Sequence, residues 1–195
     1  MIHMYQKRNK ELDILSLYLA DYRKQFYLRE ISKRAKMPLK TTQNLTAILE
    51  EKSILKSSIK GKNKYFKLNL ENIKTKFFLL QSEIYKTTLF LEKCPTFKTF
   101  LKEFKTNDAI IVFGSFARFI ADKDSDVDLL IISKEEQKLP TYLLPYKVHE
   151  IKLSESSFIK SMEKQEALIK EIEENHIILN NHSFYVNNIW DYYAK

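Results

Sequence analysis

The chain has 195 residues, of which 44% are hydrophobic, and 33 Lys and Arg against 25 Asp and Glu give a formal net charge of +8. This composition excludes an intrinsically disordered chain, and the single cysteine, Cys94, excludes an internal disulfide framework. No apolar run approaches the roughly 20 residues that span a bilayer, and the start MIHMYQKRNKELD lacks the apolar core of a signal peptide, so we expect a cytoplasmic protein without a membrane partner.

The positive charge is concentrated in the first third of the chain. Residues 1–70 carry 16 Lys and Arg against 6 Asp and Glu, whereas residues 71–195 carry 17 against 19. A local excess of this kind favours a polyanion such as nucleic acid, because each phosphate neutralised by Lys or Arg releases condensed counterions. The alternative is a lysine-rich surface that only keeps the protein soluble.

Periodicity within residues 1–70 predicts three short helices and a hairpin. Apolar spacing favours helices over 11–21, 28–35 and 39–52, and residue types favour strands over 54–59 and 65–68 around a turn that contains a glycine. This order resembles the winged helix-turn-helix domains of archaeal and bacterial transcription regulators. Many of those domains have a glycine after the third helix, where this chain has Lys52-Ser53.

The resemblance implies that the third helix enters the major groove of DNA and that the hairpin, or wing, reaches backbone phosphates. The candidate contacts are Lys40, Thr41, Thr42, Gln43 and Asn44 on the helix and Lys60, Lys62 and Lys64 on the wing. Winged helices also bind proteins, so a protein-contact role for residues 1–70 stays open.

A long helical pattern follows over residues 71–92 and ends before Cys94-Pro95, as expected when a proline follows. We expect residues 71–95 to be a connecting helix between a domain over residues 1–70 and a second domain over residues 96–195. Such a helix could join the two domains, form a contact in a homodimer, or both.

The segment VFGSFARFIADKDSDVDLLII, residues 112–132, contains one of only two glycines in the chain. Residues 109–113 favour a strand, and Gly114-Ser115 ends it where Phe116 could begin a helix. A glycine at such a turn lets a phosphate approach the main chain, and the N–H groups and dipole of a following helix would attract a triphosphate. Gly114 and Ser115 are therefore candidate phosphate-binding residues.

Two aspartates begin the next predicted strand. Since alternate residues of a strand share one face, Asp126 and Asp128 should project together, about 7 Å apart. Two carboxylates so placed repel each other unless a divalent cation lies between them. Mg²⁺ suits this position, because it binds one or two carboxylates and completes its shell with water and substrate phosphates.

Gly114-Ser115, ten intervening residues and then Asp126-x-Asp128 resemble the motif of the polymerase-β-like nucleotidyltransferases, and the flanks resemble the minimal nucleotidyltransferases of prokaryotes. Phe119 stands where a glycine is common. The resemblance implies an α/β (α+β) domain with a mixed sheet over about residues 96–190. It also implies transfer of NMP from an NTP to a hydroxyl with two Mg²⁺ ions.

The resemblance further assigns roles to single residues. Asp126 and Asp128 would bind both metal ions, and a third acid on a neighbouring strand would act as base and as a metal ligand. Glu150 is the only acid within residues 146–153, although it could be only a surface residue. The nucleotide-binding set is Gly114, Ser115, Arg118 and Ser125, with Arg118 alternatively pairing with Asp122 or Asp124.

Remaining patterns favour packing over chemistry. The four histidines have no metal-ligand spacing with Cys94, and His149 is interpreted as a packed or surface residue. Ser154 could cap a helix that runs over residues 158–174. The aromatic residues near the end of the chain could stack on a base but more often pack in a core.

The resemblance implies adenylyl transfer from ATP to a hydroxyl of a protein partner. Similar proteins often act as antitoxins that modify a HEPN-type partner, and a DNA-binding domain would then serve autoregulation. Two alternatives stay open: a DNA-binding regulator whose nucleotidyltransferase domain only senses nucleotide, and a transferase that acts on RNA or on a small molecule such as an aminoglycoside.

Overall fold

The computed structural model describes residues 8–134 and 138–194. Contacts divide the chain into two compact units, one comprising residues up to 82 without 19–21, and the other comprising residues 19–21 and 83 onward. The division falls within the long helix that the sequence predicts as a connector. Within residues 8–134 and 138–194, no helix combines the length and apolarity that a membrane span requires.

The described part of the first unit contains three helices, the beginning of a long fourth helix, and a three-stranded antiparallel sheet in the order β1-β3-β2. Its elements are α1 (Lys10–Leu15), a 3₁₀ turn (Ser16–Tyr18), β1 (Gln25–Tyr27), α2 (Leu28–Arg34), α3 (Leu39–Glu51), β2 (Leu55–Lys60) and β3 (Asn63–Leu68). The first helix is shorter than predicted, and β1 was not predicted because three residues are too short for a recognisable alternation.

Threonines, together with one leucine, form the buried face of α3. The sequence predicts Leu45, Ile48 and Leu49 as its core residues, but Ile48 is 37% exposed and the buried residues are Thr42, Thr46 and Leu49. The two hydroxyls donate to the carbonyls of Pro38 (3.1 Å) and Gln43 (3.0 Å), so no hydroxyl is buried without a partner. The helix is therefore rotated relative to the apolar pattern.

Four helices end at a non-glycine residue in the left-handed conformation: Lys36, Ser53, Phe119 and Gln165, with φ between 50° and 59°. Each end is a Schellman motif with two backbone hydrogen bonds. After α3, for example, the N–H of Ile54 donates to the carbonyl of Leu49 and that of Ser53 donates to Glu50, both at 2.9 Å. Ser53 thus adopts the conformation of the glycine expected there.

The second unit begins within α4 (Ile73–Lys93) and contains a four-stranded mixed sheet in the order β6-β5-β4-β7. Its other elements are α5 (Thr96–Glu103), β4 (Ala109–Phe113), α6 (Gly114–Ala117), β5 (Val127–Ile132), a 3₁₀ turn (Thr141–Leu143), β6 (Val148–Leu153), α7 (Glu155–Glu163), α8 (Ala167–Glu174), β7 (Ile177–Asn180) and α9 (His182–Tyr193). Strands β5 and β6 are parallel, and the other pairs are antiparallel, which confirms the predicted mixed sheet.

Aromatic residues of α4 and α5 pack against one face of this sheet. Phe90, Phe97 and Phe100 are fully buried with Val112 and Leu129. The single helix predicted over 158–174 is two helices, α7 and α8, because α7 ends at the left-handed residue Gln165. Ser154 caps α7 as expected, accepting from the N–H of Ser157 at 3.1 Å.

Candidate functional site

The Gly-Ser turn lies beside the second aspartate because of how β4 and β5 pair. Phe113, the last residue of β4, pairs with Asp128, so Gly114 follows directly at that carboxylate. Gly114 has φ +67°, and a Cβ at this position would collide with Oδ2 of Asp128. Glycine is therefore required here both for the backbone conformation and for space.

Both aspartates project to one face, as the alternation along the strand predicts. The ring of His149 approaches both of them, with Nε2 3.6 Å from Oδ2 of Asp126 and Nδ1 3.5 Å from Oδ1 of Asp128. The ammonium of Lys147 lies 3.5 Å from Oδ2 of Asp126. The two carboxylates are about one third exposed, at 37% and 31% of their side-chain surface. This cluster is open to a solute.

Glu150 is not part of this cluster, which corrects the sequence-based assignment. In the parallel pairing of β5 with β6, Asp128 pairs with His149 and Leu129 pairs with Glu150. Since paired residues share a face and neighbours alternate, Glu150 lies on the face opposite to the aspartates. Its carboxylate is 3.4 Å from the ammonium of Lys152.

Sequence reasoning therefore missed His149 because it treated the strand's only acid as the partner. The alternation of His149 and Glu150 is visible in the sequence, but the register between β5 and β6 is not. The register decides which of the two neighbours joins the aspartates.

The helix that begins at the Gly-Ser turn is shorter than expected for a helix whose dipole attracts a triphosphate. Helix α6 has only four residues, so its dipole is small compared with that of a long helix. Its first N–H groups nevertheless lack acceptors within the helix, as at every helix start, and Ser115 is only partly buried. Ser115 and these amides remain the candidate phosphate donors.

Arg118 and Ser125 differ in their surroundings. Arg118 is exposed and forms no ion pair with Asp122 or Asp124 in the part of the chain that the structure describes. The hydroxyl of Ser125 donates to Oδ1 of Asp122 at 2.8 Å and accepts from the N–H of Asp122 at 2.9 Å. The hydrogen bond from Ser125 lowers the pKa of Asp122 below its ordinary value. Ser125 thus closes the loop that leads to Asp126.

The donor set suits one Mg²⁺ better than two. Among the residues that the structure describes, no group of three His, Cys, Asp or Glu side chains is arranged to hold a metal ion. Asp126 and Asp128 supply the one or two carboxylates that a single Mg²⁺ takes from a protein, with water and phosphates as its other ligands. The third acid required for a second ion is not supplied by Glu150.

The predicted DNA contacts in the first unit fall into two groups. Lys40, Gln43 and Asn44 are exposed on α3 and Thr41 is half-buried, but Thr42 is fully buried and cannot reach DNA, which corrects that assignment.

On the hairpin formed by β2 and β3, Lys62 is exposed beside Gly61. The ammonium of Lys60 donates to Gln25 at 2.8 Å, and that of Lys64 forms an ion pair with Glu50 at 2.8 Å. Of these three lysines, Lys64 is therefore the one whose charge is already neutralised.

Comparison with known proteins bears on the second unit. Residues 94–180 match the family model described as "Nucleotidyltransferase domain", a range that includes Gly114, Ser115, Asp126, Asp128 and His149. No curated protein and no solved structure matched the chain significantly. The family match supports general nucleotidyl transfer as the activity of this domain.

Proposed function

We propose that the nucleotidyltransferase domain over residues 94–180 binds a nucleoside triphosphate with Mg²⁺ and transfers its nucleotidyl group, most simply AMP from ATP, to a hydroxyl of a protein partner. The observation that carries this proposal is the convergence of Asp126 and Asp128 on one face, with Gly114 packed against Asp128. A triphosphate at the Gly-Ser turn would then lie directly beside two metal-binding carboxylates.

The residues of the site divide the work as follows. Ser115 and the first amides of α6 donate hydrogen bonds to phosphate oxygens, and the exposed Arg118 adds a charged donor. Asp126 and Asp128 would hold the cation, which would neutralise phosphate charge and lower the pKa of the acceptor hydroxyl. Lys147 contributes positive charge beside Asp126.

The reaction balances without a further reagent. The acceptor oxygen forms a bond to the α-phosphorus, the bond from that phosphorus to the bridging oxygen breaks, and pyrophosphate leaves with the electron pair. The hydroxyl proton passes to a neighbouring base or to water. The positioning of acceptor and phosphate by the site supplies most of the acceleration expected for such a transfer.

The test is Mg²⁺-dependent release of pyrophosphate from ATP by the full chain. Asp128→Asn should reduce release by at least about 100-fold, because it removes one of the two carboxylates that would hold the cation beside the phosphates. Glu150→Gln should leave it unchanged, because Glu150 lies on the opposite face. Release that survives Asp128→Asn, or is lost in Glu150→Gln, would contradict the site.

The acceptor is tested with ATP labelled at the α-phosphate. The full chain is incubated with a HEPN-type protein, with RNA and with an aminoglycoside. Label on the protein supports the proposed antitoxin-type transfer. Label on RNA or on the drug places the same chemistry on another substrate.

A second candidate function is nucleotide sensing without turnover. It is favoured by His149, which pairs with Asp128 at the position where a third acid was expected. Tight binding of MgATP by the wild-type chain, without pyrophosphate release in the presence of any acceptor, would select this function.

We further propose that the first unit is a winged helix-turn-helix domain that binds DNA, as a homodimer if its site has two halves. Support comes from the positive charge of residues 1–70 and from the exposed Lys40, Gln43 and Asn44 on one face of α3. Asn44→Ala should reduce discrimination between operator and random DNA, whereas Asn9→Ala at the N-cap of α1 should not. Binding unaffected by Lys40→Ala, Gln43→Ala and Asn44→Ala together would exclude α3 as the contact.

A further inference from the structure

A cavity of about 570 Å³ lies in the second unit next to the loop that carries the proposed triphosphate site. Its walls are Lys93, Cys94, Pro95 and Thr96 on one side, and Phe116, Phe119, Ala121, Asp122, Lys123 and Tyr146 on the other. This volume is within the range of small-molecule sites. None of the metal-binding or phosphate-binding residues proposed above lines it.

Several residues that line the cavity are close in sequence to residues of the proposed phosphate site. Phe116 directly follows Ser115, and Lys123 precedes Asp126 by three residues. Tyr146, another wall residue, directly precedes Lys147, whose ammonium approaches Asp126. The loop that joins the two parts of the proposed phosphate site therefore forms part of the cavity wall.

Aromatic rings give the cavity its character. Phe116 is buried and packs edge-on against Tyr146, with ring centroids 4.8 Å apart. Phe119 is 39% exposed at the left-handed end of α6, and the ammonium of Lys93 lies 4.4 Å from its ring centroid. A partly exposed aromatic ring with an ammonium over it suits a flat, polarisable ring.

One polar group of a wall residue has no hydrogen-bond partner among the described residues. The hydroxyl oxygen of Thr96 is buried and has no hydrogen-bond partner among the described residues. A buried hydroxyl without a partner destabilises the fold unless a ligand or water satisfies it. A ring that carries nitrogen or oxygen atoms meets this requirement, whereas a hydrocarbon does not.

We infer that this cavity binds the base of the nucleoside triphosphate, with Phe119 as the stacking surface and the Thr96 hydroxyl as a hydrogen-bonding group. The inference rests on the proposed function, since it assumes that the triphosphate lies at Ser115 and Asp126. Stacking on one aromatic ring recognises any base and strengthens binding by roughly 5-fold or more.

The test compares MgATP with magnesium tripolyphosphate, which has the phosphates but no base, by calorimetry on the full chain. Phe119→Leu keeps the apolar side chain and the backbone strain but removes the ring face. It should weaken MgATP about 10-fold and leave tripolyphosphate unchanged. Phe104→Leu is the matched control, because Phe104 stacks on Phe100 and does not line the cavity; it should change neither.

A second variant guards against a folding defect in the first. Thr96→Val replaces the unpartnered hydroxyl by a methyl group of similar size, so it should fold normally and weaken MgATP about 5-fold. Equal weakening of both ligands by Phe119→Leu, or no effect of either variant on MgATP, would overturn the inference. Wild-type binding of tripolyphosphate as tight as that of MgATP would overturn it alone, whereas failure to bind either ligand would also overturn the proposed function.

Discussion

The side chain of Asp128 can occupy its observed position only because Gly114 has no side chain. The two residues meet because Phe113 and Asp128 pair across β4 and β5. The aspartate therefore cannot be positioned independently of the turn that precedes α6. The proposed phosphate-binding turn and the proposed metal-binding carboxylate therefore depend on each other through this one contact.

We expect Gly114→Ala to destabilise the protein by about 1–2 kcal/mol through backbone strain and to reduce pyrophosphate release by more than about 100-fold through displacement of Asp128. Urea unfolding and the release assay measure the two effects. Gly61→Ala is the matched control, because Gly61 has φ +60° and no atom within 4 Å of an added Cβ. It should lose similar stability and keep full activity; equal activity of the two variants would exclude a steric role for Gly114.

The aspartate pair could be predicted from sequence, whereas the third member of the cluster could not. Asp126 and Asp128 lie on the same strand, so the two-residue period alone places them on one face. His149 lies on another strand, and its position depends on the register between β5 and β6. No period within one strand contains that information.

At the scale of elements, helix ends are where the sequence was least informative. Strand β4 was predicted over its observed range, because all five of its residues are apolar and buried. The end of α7 at Gln165 was missed, because neither glycine nor proline marks it. This chain has only two glycines and closes its helices with Lys, Ser, Phe and Gln instead.

These helix ends carry strain that a glycine would relieve. The left-handed conformation costs an L-residue about 1–2 kcal/mol, whereas glycine loses about 0.5–1 kcal/mol more chain entropy on folding. We therefore expect Lys36→Gly to stabilise the first unit by up to about 1 kcal/mol, measured by thermal unfolding. Lys36→Ala, which keeps the strain, should not stabilise it; equal stability of both variants would show that φ at position 36 is not strained.

A buried ion pair links α4 to the segment before β7 within the second unit. Nε2 of His176 lies 2.8 Å from Oε1 of Glu83, and Nδ1 lies 2.7 Å from the carbonyl of Ile172, with both side chains fully buried. Burial raises the pKa of Glu83, but the charge and hydrogen bond of His176 outweigh this and lower it below its ordinary value.

The sign of the pH dependence follows from that lowered pKa. Glu83 stabilises the fold above the pKa of an unfolded glutamate, near 4.5, and this contribution is lost as the pH falls further. Glu83→Gln should cost about 3 kcal/mol at pH 7, measured by urea unfolding, and its difference from wild type should shrink below pH 4.5. A difference independent of pH would mean that Glu83 is not ionised in the fold. The exposed Glu71→Gln serves as control and should change little.

At the scale of the whole molecule, the two proposed activities belong to parts of the chain with opposite net charge. Residues 1–70 carry a net charge of +10 and residues 71–195 carry −2. The positive part contains the proposed DNA contacts, and the negative part contains residues 94–180, which match the nucleotidyltransferase family model. This asymmetry was readable from composition, whereas the buried Thr42 was not, because a threonine looks equally polar on either face of a helix.

We expect the affinity of the full chain for DNA to fall steeply between 50 and 200 mM salt, roughly in proportion to the number of phosphates that its lysines neutralise. Lys40→Ala should reduce the slope by about 1. Lys64→Ala is the matched comparison and should reduce it less, since Lys64 already pairs with Glu50. Fluorescence anisotropy gives the slopes, and an affinity insensitive to salt would exclude phosphate contacts.

Because of the parallel register of β5 and β6, exchanging the adjacent residues His149 and Glu150 would place the glutamate on the same face as the aspartates. The double variant H149E/E150H has the same amino-acid content and nominal charge as the natural chain, yet it would gather three acids around one point. This double variant should bind Mn²⁺ more tightly than the natural chain, and paramagnetic line broadening would measure the difference. The order of two adjacent residues would then determine how tightly the domain binds a metal ion.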